Sequence, residues 1–258
     1  MSKGSELGTR FGVAMALIAG AAFALWMGGV VFWLALVVAG LLTYSEWGEL
    51  AGVDPKTIRL AQYALSVPLA AMCPWAAGPG FLSLGLVGGA LFFVGAVTRN
   101  PRLALGILYV GLPVLALLVL RDQEPWTRGI LLTFWAMGLV WAADSTAYFV
   151  GRAAGGPKLA PQISPNKTWS GFAGGLIGAT VGAMGLVWLF GLPIELAYAT
   201  PLLAILSVLG DLYESNLKRQ AGVKDSGKVL PGHGGLMDRL DGLIFVAPFA
   251  ALLVLALT

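Results

Sequence analysis

Long apolar runs broken by short polar segments make up most of the chain. At about 20 apolar residues per crossing of a bilayer, nine runs qualify as candidate spans: 11–27, 29–46, 60–76, 80–98, 103–120, 128–149, 171–191, 195–210 and 242–257. Gly28-Gly29, Pro79 and Pro193 mark tight reversals between neighbouring runs. In lipid every backbone polar group must find its partner internally, and runs this continuous predict helices and not barrel strands. The pattern therefore predicts an all-α polytopic integral membrane protein with about nine transmembrane helices. It divides into an N-terminal region, 1–127, of about five helices and a C-terminal region, 128–258. Two polar segments in the latter, 150–170 and 211–241, are longer than the other connections.

Lys and Arg set the orientation. With the N-terminus in the cytoplasm, fourteen of the sixteen basic residues fall on the inner side, and only Arg121 and Arg128 fall outside. This split favours an odd number of spans, with the C-terminus outside. Segments 150–170 and 211–241 then face the cytoplasm, and any chemistry belongs there.

Composition agrees with this picture. The chain is 58% hydrophobic and 11% charged, whereas soluble domains carry roughly 25% charged residues. A net charge of +3 does not point to nucleic acid. The single cysteine, Cys73, excludes an internal disulfide and a multi-cysteine metal site. The basic N-terminus followed by an apolar run and Ala22-Phe23-Ala24 resembles a cleaved signal. The apolar run continues to Thr43, so a retained pair of spans is expected instead. Gly174, Gly178 and Gly182, four residues apart, predict close helix packing.

Ten of the 29 charged residues lie in the 31 positions 211–241, with the only histidine, His233. Asp211, Glu214, Ser215 and Lys218 are spaced i, i+3, i+4, i+7 on one helix face. A water-facing helix end or an Asp–Lys pair would explain them equally well. Gly232-His233-Gly234-Gly235 precedes a helix start, where free N–H groups would suit a phosphate. Asp238 and Asp241 share a face in that first turn, where they would also complement the helix dipole. Asp211 and Asp238 offer hard oxygen ligands from two helices, and magnesium favours one or two carboxylates plus waters and phosphate oxygens. Two such ions can clamp a phosphoryl transfer. Lys218, Arg219, Lys224, Lys228 and Arg239 suit a polyanion. Asp144, Tyr148 and Arg152 share a face at the end of span six; an acid at that depth is a functional candidate by default, and an internal Asp144–Arg152 pair is the alternative. Ser164-Pro165-Asn166-Lys167-Thr168 forms a loop before a helix, fit for phosphate or simply for helix initiation. No Walker loop or Gly-x-Ser-x-Gly elbow is present.

Ser215-Asn216-Leu217-Lys218-Arg219, Lys224-Asp225-Ser226-Gly227, Leu230-Pro231-Gly232-His233-Gly234-Gly235 and Asp238-Arg239-Leu240-Asp241 together resemble the signature of the phosphatidate cytidylyltransferases, or CDP-diacylglycerol synthases. Asp144 to Tyr148 with Gly151-Arg152, and Ser164 to Thr168, resemble the family's upstream segments. The likeness covers the C-terminal half; the N-terminal half matches only in having several spans. Ser170 departs from the family pattern, which often has an acidic or amide residue there. The resemblance implies that CTP and phosphatidic acid give CDP-diacylglycerol and pyrophosphate with magnesium. It also implies metal ligation by Asp211 and Asp238.

On that basis Asp144 and Asp241 are further carboxylates for metal or for holding cations. Lys167, Lys218, Arg219, Lys224 and Arg239 are phosphate contacts. Ser164, Asn166, Gly234 and Gly235 complete the nucleotide site. A phosphate monoester has its second pKa near 6 and is already a dianion at neutral pH, so His233 is expected to position the loop, not to act as a base. CTP would enter from water and phosphatidate from the surrounding lipid, in a bacterial plasma membrane. A CTP-dependent lipid or polyprenol kinase, or a transporter, are the alternatives. The sequence leaves open whether the chain is a monomer or a homo-oligomer.

Overall fold

A computed structural model describes residues 3–227, 229–230 and 234–257, with residues 3–11 and 14 as backbone only. The described residues form α1 (Lys3–Met27), α2 (Gly29–Leu50), α3 (Pro55–Ala71), α4 (Phe81–Thr98), α5 (Pro101–Arg121), α6 (Trp126–Ala154), β1 (Lys158–Ala160), β2 (Ser164–Thr168), α7 (Trp169–Phe190), α8 (Ile194–Gln220) and α9 (Met237–Ala256). The chain is a helical polytopic membrane protein with one small antiparallel hairpin, in which Lys158 faces Thr168 and Ala160 faces Ser164.

Each candidate span has a helix, but seven of the nine helices are long and apolar enough to cross a membrane. Among the described residues of α1, Met15–Met27 forms a shorter apolar helix. In α3 the 17 residues include Lys56 and Arg59. This helix starts five residues before the expected span because Asp54 caps it. The Asp54 carboxylate accepts from Lys56 N and Thr57 N, both at 3.0 Å, and Pro55 supplies a preset first turn. Helices α6 and α8 run past their apolar stretches to Ala154 and Gln220. Helical hydrogen bonding continues into the polar turns, as the one-face spacing of Asp144, Tyr148 and Arg152 and of Asp211 to Lys218 predicts. The expected loop before α7 is strand β2, and Thr168 ends it by capping α7 through Gly171 N at 3.1 Å.

Helix α5 is the central post, the most enclosed of the spans, and it packs against α2, α4, α6 and α9. Around the bundle large apolar side chains such as Phe81, Phe92 and Trp188 face outward, as lipid-facing helices require. Two polar ends result. At one, Trp47 Nε1 donates to Arg102 O and Tyr44 OH to Leu103 O, both at 2.8 Å, so the end of α2 meets the start of α5. At the other, Arg121 Nε donates to Leu25 O at 2.8 Å and its guanidinium lies 5.5 Å from the Trp126 ring centroid.

Helices α6 and α7 make the tightest pair. A Cβ on Gly174 would lie 2.6 Å from Val150 Cβ, and one on Gly178 would collide with Thr146. The expected glycine row thus packs as predicted at Gly174 and Gly178. Gly182 is looser, since a Cβ there would lie 3.9 Å from Ala142 Cβ, whereas one on the neighbouring Gly171 or Gly175 would lie 2.7 or 3.0 Å from the Ala147 or Ala143 carbonyl oxygen. Cys73 is a free, half-buried thiol.

Candidate active site

Helices α6, α7 and α8 and the hairpin enclose an open groove of about 660 Å³. Its apolar lining includes Ala143, Ala147, Gly175, Leu176, Ala204 and Val208. Its polar end gathers Asp144, Arg152, Lys158, Asn166, Lys167 and Asp211. The tight glycine contacts of α6 and α7 bring Asp144 opposite the β2 lysine. Lys167 Nζ forms an ion pair with Asp211 Oδ2, and Ser215 Oγ donates to Asp211 Oδ1 at 3.2 Å. Asp144 lies within electrostatic reach of both Lys167 and Asp211. Arg152 Nη1 donates to Tyr148 OH at 2.9 Å, so the internal Asp144–Arg152 pairing is replaced by an Arg152–Tyr148 one. Ser164 is half-buried on β2, and Asn166 is exposed at the groove. Ser170 Oγ donates to Gly155 O and contacts Thr168 Oγ1, so it ties the hairpin to α6.

The second part of the site lies between α8 and α9, which run antiparallel. Gly210 lets them touch: a Cβ there would be 2.5 Å from Asp241 O. Asp241 therefore faces the Asp211 level of α8, and it feels the charges of Asp211, Asp144 and Lys167. Asp238 lies less than one turn from Asp241 on α9, and Lys218, two turns beyond Asp211 on α8, reaches it at 2.5 Å and Glu214 Oε1 at 3.1 Å. The expected partner of Lys218 within α8, Asp211, is thus replaced by Glu214 and Asp238. One oxygen of Glu214, Oε2, is buried without a hydrogen bond. Trp47, Tyr109, Tyr213 and Phe245 stack beside this helix pair.

The start of α9 differs from expectation. Its amides were predicted to be free for phosphate, but carboxylates already hold them. Asp238 Oδ2 accepts from Gly235 N at 2.8 Å, Ser226 N at 2.9 Å and Ser226 Oγ at 3.0 Å. Leu236 N and Met237 N, both at 2.8 Å, donate to Glu46 of α2. Gly234, at φ 84°, makes the turn that allows this closure. Sequence reasoning missed Glu46. The signal was present, since an acid inside a long apolar run is a functional candidate by default, but nothing in the sequence joins α2 to a loop about 190 residues away.

Lys224 and Arg239 are exposed. Arg219 Nε reaches toward Ile163 O at 3.5 Å, joining the end of α8 to the hairpin. His233 and Lys228 lie outside the described residues. The structure thus gathers Asp144, Asn166, Lys167, Asp211 and Asp241 around one centre. Lys218 and Asp238 form a second centre further along the helix pair. Among the described residues, no three His, Cys, Asp or Glu side chains are gathered closely enough to hold a metal ion unaided.

A sequence model described as the Cytidylyltransferase family matches residues 8–257. Similar proteins include a phosphatidate cytidylyltransferase of Brucella abortus, 40% identical over 251 residues covering 94% of this chain and 91% of that one. One of Pseudomonas aeruginosa is 40% identical over 257 residues, covering 92% and 89%. One of Bacillus subtilis is 45% identical over 150 residues, covering 57% and 55%.

Proposed function

The chain belongs to the Cytidylyltransferase family, and from that premise we propose that it transfers the cytidylyl group of CTP to phosphatidic acid, giving CDP-diacylglycerol and pyrophosphate for phospholipid synthesis. The observation that carries this reading is the groove between α6, α7 and α8, apolar along its walls and charged at one end. A lipid phosphate fits such a shape: acyl chains follow the apolar lining, and the headgroup stops at Lys167 and Asp211.

The phosphatidate oxygen forms a bond to the α-phosphorus of CTP, and the bond to the β-phosphate oxygen breaks. No strong base is needed, because a phosphate monoester is largely dianionic at neutral pH. The task of the protein is to bring two polyanions together and release a third, which is electrostatic work. Lys167, with Arg152 and Lys158 at the groove, draws in the lipid phosphate. Lys218, Arg219, Lys224 and Arg239, at the other side of Asp211, suit the triphosphate, and Ser164, Asn166, Gly234 and Gly235 complete its surroundings. His233 positions the loop.

The site residues fit magnesium. Asp211 and Asp238 each hold one ammonium group, Lys167 and Lys218. Both are therefore anionic oxygen donors adapted to a cation, with the carboxyl groups of Asp144 and Asp241 close to Asp211. Two protein carboxylates with waters and phosphate oxygens suffice for this ion. Bound magnesium would neutralise polyphosphate charge, with Asp211 and Asp238 holding up to two ions. The lysines would then be free to turn to phosphate.

The site opens on the cytoplasmic face of a bacterial plasma membrane, with the N-terminus inside and the C-terminus outside. The 14-to-2 distribution of basic residues supports this orientation. CTP enters from water and phosphatidate from the lipid. The test is product analysis with purified protein, CTP, phosphatidate and Mg²⁺. The expected products are pyrophosphate and a CDP-lipid, with no turnover in EDTA. Release of CDP in place of pyrophosphate would make the protein a kinase. Normal turnover in both Asp211→Asn and Asp238→Asn would overturn the metal assignment.

A further inference from the structure

We infer that Glu46 of α2 is a positioning residue for nucleotide binding, holding Asp238 and the first turn of α9 in place through Ser226. The inference rests on the cytidylyl-transfer reading given above. Glu46 is buried, and both of its oxygens are committed to the loop and helix that carry Asp238. Oε1 accepts from Leu236 N at 2.8 Å. Oε2 accepts from Met237 N at 2.8 Å and from Ser226 Oγ at 3.0 Å. Negative charge at a helix N-terminus is favourable, so a buried carboxylate here is stable and fixes where α9 begins.

Ser226 carries the connection onward. Its Oγ is 3.0 Å from Glu46 Oε2 and also 3.0 Å from Asp238 Oδ2. A serine hydroxyl has one proton to donate, so the two carboxylates share a single donor. A shift of Glu46 passes directly to Asp238, and from Asp238 to Lys218 at 2.5 Å.

A second observation is independent of these bonds. A Cβ on Gly227 would lie 2.6 Å from Glu46 Oε1, and one on Gly235 would lie 2.5 Å from Oε2. The backbone on both sides of the loop comes so close that only glycine fits. Gly227 and Gly235 thus close around this one carboxylate from the N-terminal region. A cap needed only for folding would require the two α9 amides, but not the bridge to Asp238.

The experiment compares wild type, Glu46→Gln and Ser226→Ala. It measures kcat, KM for CTP and for phosphatidate, equilibrium binding of radiolabelled CTP with Mg²⁺, and the melting midpoint in detergent. Glu46→Gln puts an NH₂ donor against an N–H donor. Losing one hydrogen bond to a charged group corresponds to about a tenfold change in an equilibrium constant. The expected result is a KM and Kd for CTP raised about tenfold, with the phosphatidate KM within about twofold. Ser226→Ala leaves both α9 amides capped and should shift the CTP constants in the same direction. A merely structural role would lower the active fraction, leaving KM and Kd for CTP unchanged in both variants, and that result overturns the inference. If Glu46→Gln fails to fold, Ser226→Ala decides alone: wild-type CTP constants refute the bridge. Failure of the wild type itself to form CDP-lipid would refute the reaction instead.

Discussion

Gly210→Ala adds one methyl group where α8 and α9 approach most closely. Its Cβ would lie 2.5 Å from Asp241 O and 3.0 and 3.2 Å from Phe245 Cδ2 and Cγ. Ordinary contact begins near 3.4 Å, so the helices must part by about 0.9 Å. The obstructing atom is a backbone carbonyl, and no side-chain rotation relieves it. Overpacking of this kind costs about 1–3 kcal/mol, which for a chain of this size lowers the melting midpoint by about 2–10 °C. The rate effect should be larger than the stability effect. Asp211 follows Gly210 directly, Asp241 is the obstructed residue, and a misplacement of about 1 Å costs about 10²-fold in rate. The assay is CDP-lipid formation per folded molecule, with folded protein measured by size exclusion and thermal melting in detergent. Gly182→Ala is the control, because its nearest neighbour, Ala142 Cβ, is 3.9 Å away; it should stay within about twofold of wild type. If Gly210→Ala keeps turnover within about threefold of wild type while its midpoint falls, the spacing of Asp211 and Asp241 does not govern the chemistry.

Lys167→Met removes the ammonium from Asp211 and from the groove mouth. It should lower kcat by about 10²–10³-fold, as for other single charge-stabilising groups, whereas unchanged turnover would exclude Lys167 from the phosphate site. Arg121→Leu strips the donor from Leu25 O at 2.8 Å and the weaker one from Trp26 O at 3.3 Å. It should destabilise by about 2 kcal/mol with normal turnover per folded molecule, because Arg121 lies at the end of the bundle away from the site. Thr168→Val removes the α7 cap at Gly171 N. A cost of about 1 kcal/mol in stability is expected, together with reduced turnover because the adjacent Lys167 loses its anchor; both are read by melting and CDP-lipid assays.

Amino-acid order alone determined the helical membrane class, because lipid imposes a length rule on local sequence. It also marked Asp211, Asp238 and the glycine turn, since their spacing within 31 residues is visible without a fold. The one-face spacing of Asp144, Tyr148 and Arg152 and of Asp211 to Lys218 made the continuation of α6 and α8 past their apolar stretches legible, whereas the last residues of each helix, Ala154 and Gln220, carry no such pattern. Only the tertiary structure decided which charge meets which. The antiparallel contact of α8 and α9 at Gly210 puts Asp241 level with Asp211 and hands Asp238 to Lys218. The folding of α2 against α9 brings Glu46 to amides about 190 positions away. Such pairings depend on the packing of separate helices, which local patterns of apolarity and charge do not encode.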